Sequence, residues 1–237
     1  MIARTAQRME KRVQQLTRSF GSYVDVFNAA RLFTGPSLYF HWKTRNLLRR
    51  HSSAADALED DQFLESIYAT LTAWGMHRMG PGNTKLVEFP EFKASLQAQA
   101  ASIHRLESLC IWNIARESVA EIAARLWDIM NELCIGVGST KIVVGSKALH
   151  HILPALMPPI DREYTIRFFF DSTVMNQGDE RAFREIYPQL HRISVACRRE
   201  IEPHLGVGMN TSPTKVIDNA IVGYGLRHLK APKRRGS

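Results

Sequence analysis

Apolar residues recur at three- and four-residue spacing along almost the whole chain, and this periodicity constrains the fold more than any other feature. The spacing predicts helices at about 2–19, 22–33, 38–49, 61–76, 90–107, 117–133, 139–153, 161–172, 179–202 and 213–225. Alternating, strand-like patterning is confined to LVEF at 86–89 and KIVV at 141–144. The expected fold is therefore all-α, a single multi-helix domain over 1–226, with a division into two lobes near 110–117 as the open alternative. Breaks come where glycine and proline place them, at Gly35-Pro36 and in MGPGNTK at 79–85. Ser118, Asp161 and Ser212 stand where side-chain oxygens would cap helix starts, the last before Pro213 at the first helical position.

Charge is distributed unevenly. Residues 1–50 carry ten Lys or Arg against Glu10 and Asp25, and Arg227, Lys230, Lys233, Arg234 and Arg235 follow at the other end. The body at 51–226 is slightly acidic. Basic ends on an acidic body point to an anionic partner, for which DNA gripped through its phosphates is the expectation; a flexible tail from 227 is the plainer alternative. Three unpaired cysteines, no secretory signal and no apolar run long enough for a bilayer lead to the expectation of a cytoplasmic protein without membrane contact. No metal or cofactor motif is present: His150 and His151 are helix neighbours about 100° apart, poorly placed to share an ion.

The chemistry-bearing residues concentrate between Cys134 and Phe170. Gly136-Val137-Gly138 makes a tight turn between two apolar helices, and the amides of Ser139 and Thr140 begin the next one, where a helix N-terminus can hold a phosphate. Lys141 lies 20 positions before Asp161 and Lys147 lies 14 before it, across a Pro158-Pro159 reversal. A lysine amine and a carboxylate brought together can attack an activated C–N bond; the alternative is a solvated lysine and a capping aspartate. A second cluster, Trp74, His77 and Arg78, could stack on a nucleobase and reach its edge, or could simply pack.

The stretch from 134 to 170 resembles the helix-hairpin-helix DNA glycosylase superfamily. The resemblance implies a hairpin at about 126–153 that grips DNA backbone through Gly136, Gly138, Ser139 and Thr140. It also implies Lys141 as the candidate Schiff-base nucleophile and Asp161 as the catalytic carboxylate. The family's lysine stands two positions after the second glycine, whereas Lys141 stands three after; Lys147 stands two after Gly145 instead. The functional expectation is a DNA-binding protein with glycosylase-like base-excision (DNA-repair) chemistry and no cofactor. A non-catalytic helical scaffold binding a protein partner or small ligand is the alternative.

Overall fold

The computed structural model describes residues 2–76, 85–138 and 140–229, and among them thirteen α-helices and no strand are found. The first two, α1 (Ile2–Arg18) and α2 (Phe20–Ala30), bury Met9, Val13 and Leu16, then Phe20, Tyr23, Val24 and Phe27. These positions are three and four residues apart, so each helix turns one stripe inward. Pro36 opens α3 (Pro36–Leu48), where its missing N–H costs nothing. After α4 (Ala54–Ala57), α5 (Asp61–Leu71) is capped by Asp60, which accepts from Gln62 N–H at 2.8 Å. α5 then loosens over Thr72–Met76, where Trp74 and Gly75 leave helical geometry.

The segment expected as one helix at 90–107 is two: α6 (Phe89–Gln97) and α7 (Ala100–His104). α8 (Val119–Glu132) follows, but Ser118 does not cap it. Ser118 already has helical dihedrals in a 3-10 turn, so its hydroxyl cannot reach the orphan amides. KIVV is not a strand: it begins α9 (Lys141–Ile152). A tertiary cap described below overrides the strand preference of its β-branched residues. Asp161 and Ser212 do cap, accepting from Tyr164 N–H at 2.6 Å and Lys215 N–H at 3.2 Å. Beyond the turn Arg162–Ile166 come α10 (Arg167–Phe170), α11 (Asp179–Ala196), α12 (Arg198–Ile201) and α13 (Pro213–His228).

One hydrophobic core extends from α1 to α13, and it includes the segment where two lobes were the alternative. Ile111 and Ile114 are buried, Ile111 N–H donates to Ala155 O at 2.9 Å, and His191 Nε2 donates to Ile114 O at 3.0 Å. The fold is thus a single all-α domain. Its most enclosed element is α13, buried without interruption from Thr214 to Gly225. Val216, Ile217 and Ile221 are fully buried there, each contributing roughly 1.5–3 kcal/mol of transfer free energy. Glycine at 223 is what lets α2 lie against it, since a Cβ would sit 1.9 Å from Tyr23 O.

Candidate functional site

The ends of α5, α8 and α9, the 159–164 turn and the start of α13 enclose a cavity of about 810 Å³. Its wall includes Trp74, Lys147, Asp161, Tyr164, Lys215 and Asp218. Sequence alone pairs Asp161 with two lysines; the structure brings only one of them here. Lys147 lines the cavity, and among the described residues its ammonium has no hydrogen-bond or ion-pair partner. Burial pushes its pKa below the ordinary lysine value, while Asp161 and then Asp218 pull the other way. An amine held this way is closer to its nucleophilic form than a surface lysine.

Lys141 is placed differently. Its Nζ donates to Leu133 O at 2.6 Å, binding the start of α9 to the end of α8. It does not line the cavity, so the lysine that the resemblance implies as nucleophile does not share it with Asp161. Six helical positions separate the two lysines, which sets their side chains about 120° apart around the axis, and only Lys147 is on the side that faces the cavity.

The glycine turn is also more internally committed than expected. Val137 N–H donates to Lys85 O at 2.9 Å, beside an isolated bridge between Leu86 and Gly136. The amides of Lys141 and Ile142, at the first turn of α9, both donate to Asp179 Oδ2, at 2.7 and 3.1 Å. A carboxylate from α11 therefore occupies the N-terminus assigned above to a phosphate. Gly136 sits in a tight place, where a Cβ would meet Val144 Cγ1 at 3.1 Å and the valine would have to give by a few tenths of an ångström; at Gly138 the space is open. Gly136, Gly138 and Thr140 all line the cavity, and Thr140 Oγ1 accepts from Arg162 at 2.7 Å. Ser139, His77 and Arg78 lie outside the described residues.

Trp74 does reach the cavity wall, and its indole N–H donates to Ser37 O at 3.4 Å. Behind it lie three buried imidazoles whose tautomers follow from their partners. His151 Nδ1 donates to Lys147 O at 2.7 Å, since a carbonyl can only accept. Its Nε2 must then accept from His41 Nδ1 at 3.1 Å, and His41 Nε2 accepts from Thr211 Oγ1 at 2.6 Å. His150 Nδ1 donates to Met157 O at 2.9 Å. Burial is the first cause holding all three below the usual histidine range, His151 at about 3. They are neutral, and the chain from Thr211 to Lys147 O fixes the backbone that carries the cavity lysine.

Sequence reasoning missed Lys215 and Asp218. Lys215 Nζ donates to Asp218 Oδ2 at 2.6 Å and to Asn219 Oδ1 at 2.8 Å, with both charged residues buried. Burial pushes the Asp218 carboxyl up, against the pull of the Lys215 ammonium. The signal lay in the sequence: two charges three residues apart inside KVIDNAIVGYG, a helix otherwise apolar on nearly every face. Comparison with known protein families, curated proteins and solved structures gives no match.

Proposed function

We propose that this protein binds nucleic acid and removes an unstacked base, with Lys147 as nucleophile and Asp161 as the assisting carboxylate. The observation that carries the reading is Lys147, whose ammonium, without a hydrogen-bond or ion-pair partner among the described residues, lines the same cavity as Asp161. The cavity exceeds the volume of a nucleobase, and Trp74, Phe33 and Tyr164 offer aromatic surface to it. Asp161 is held in place because Oδ1 caps the following turn.

In this mechanism the Lys147 ammonium loses a proton to water, and its lone pair bonds to the anomeric carbon of the flipped nucleotide. The bond from that carbon to the base breaks with its electron pair on the base, which takes a proton from water. The Asp161 carboxylate stabilises positive charge developing on the sugar. The new secondary ammonium then passes a proton to the sugar ring oxygen as the carbon–oxygen bond opens. A protonated imine results, which borohydride reduces to a stable adduct.

The test is trapping with borohydride on duplexes carrying uracil, an oxidised purine or an abasic site. One adduct per chain is expected, mapping to Lys147 and lost in Lys147→Ala. Asp161→Asn should slow base release on the order of 100-fold or more. A second reading, non-catalytic binding of a small ligand, is favoured by the internal use of the Val137, Lys141 and Ile142 amides. Neither adduct nor base release on any of the duplexes would decide for it.

A further inference from the structure

The aromatic part of the cavity wall already holds a cation. Lys215 Nζ lies 5.2 Å from the centre of the Trp74 ring, 5.4 Å from Phe33 and 5.8 Å from Phe27. Trp74 and Phe33 both line the cavity, with ring centres 6.4 Å apart. The ammonium is held in place, because Asp218 and Asn219 accept hydrogen bonds from it, Asn219 Nδ2 donates to Asn210 Oδ1 at 2.8 Å, and Asn210 Nδ2 donates to Asn28 Oδ1 at 3.1 Å.

An aromatic face attracts a cation through the negative part of its quadrupole. In this wall that attraction is spent on Lys215, so a second cation approaching Trp74 or Phe33 meets rings whose electron density is drawn towards the first. The remaining charges act in the same sense. Among the described residues the wall carries four cations, Lys85, Lys147, Arg162 and Lys215. Against them stand three carboxylates, Asp161, Glu163 and Asp218. Asp218 is paired with Lys215, which leaves the rest of the wall net positive, with Lys147 having no hydrogen-bond or ion-pair partner among the described residues. The imidazoles behind Trp74, with ring centres at 4.9 Å for His151 and 5.2 Å for His41, are neutral and add no compensating charge. A neutral or anionic ring gains from both features, since it stacks on a wall polarised by a cation and faces a net positive rim.

We infer that the cavity accepts a planar aromatic ring that is neutral or anionic and excludes a cationic one, with Lys215 as the specificity-determining residue. The inference rests on the base-binding reading of the cavity and narrows its substrate class: bases that stay uncharged, rather than bases made cationic by alkylation.

The experiment is calorimetric binding of three isosteric probes to the full chain: benzoate, benzamide and benzamidinium. Benzoate and benzamide are expected to bind at least about tenfold more tightly than benzamidinium, a difference of the size that one additional nearby charge produces at moderate effective dielectric. In the double variant Lys215→Met with Asp218→Asn, which leaves no buried charge unpaired, the ratio should fall to about half or less of its wild-type value, the remainder being the work of the net positive rim that the variant leaves in place; Lys215→Arg should keep it. Benzamidinium binding as tightly as benzamide overturns the inference, as does an unchanged ratio in the double variant, or binding by none of the three. The wild-type ratio decides even if the variant fails to fold. Failure of base excision reads out separately, as absent adduct and base release on DNA alongside intact ring discrimination. Conversely, excision activity combined with tighter binding of a 7-methylguanine duplex than of a uracil duplex overturns the inference and leaves the excision reading standing.

Discussion

At the scale of single residues, the two lysines of α9 separate function from structure. Lys147→Ala should abolish adduct formation while leaving the melting temperature nearly unchanged, because its ammonium bonds to nothing among the described residues. Lys141→Ala should retain activity and cost about 1 kcal/mol in urea unfolding, the worth of its bond to Leu133 O. The buried imidazoles give a pH dependence whose sign is fixed. Their folded-state values lie below the unfolded value near 6.5, so the unfolded chain takes up protons first. Stability is therefore full above about pH 6.5 and falls as the pH drops towards the folded-state values, by up to about 1.4 kcal/mol per pH unit for each histidine. Thermal melts from pH 7.5 to 5 should show this slope, and His41→Gln should reduce it. A flat profile would mean that the three rings titrate in the fold as they do in the unfolded chain.

At the scale of elements, helix termini and close approaches decide what tolerates change. Asp179 satisfies two amides of α9 from another helix, so Asp179→Ala should destabilise by about 1–2 kcal/mol in chemical unfolding. It would also free the N-terminus of α9, so a gain in DNA affinity in that variant would show that those amides can bind phosphate once vacated. Gly223→Ala should cost roughly 3 kcal/mol or more, since the clash is with backbone and α2 must move. Gly138→Ala, with open space around it, should be nearly silent in stability. Sequence patterning found most of these helices and two of the three proposed caps. It missed the break at Ala98–Gln99 and the failure of Ser118 to cap, because local dihedrals rather than residue type decide both.

At the scale of the whole molecule, the basic ends look less available than their count suggests. Arg8 and Arg12 both pair with Asp171, and Arg45 is buried. Burial works against the Asp171 charge, but hydrogen bonds and charge from Arg12 and Arg8 outweigh it and hold the carboxyl below its ordinary value. DNA binding, measured over a salt series, should still weaken with salt. Removing Lys230 to Ser237 should lower the slope by up to about four, close to one for each cation lost. No helix among the described residues is long and apolar enough to cross a membrane.

The sequence by itself determined the all-α class, the placement of most helices and the capping role of Asp161, because these depend on periodicity and on contacts within a few residues. Only the tertiary structure decided which lysine shares a cavity with Asp161. Spacing along the chain cannot choose between Lys141 and Lys147, whereas the packing of α9 against α8 and α11 fixes its rotation and turns Lys147 inward. The same applies to Lys215 and Asp218. Their burial against Trp74 and Phe33 joins segments more than a hundred residues apart, and local patterning carries no information about such a meeting.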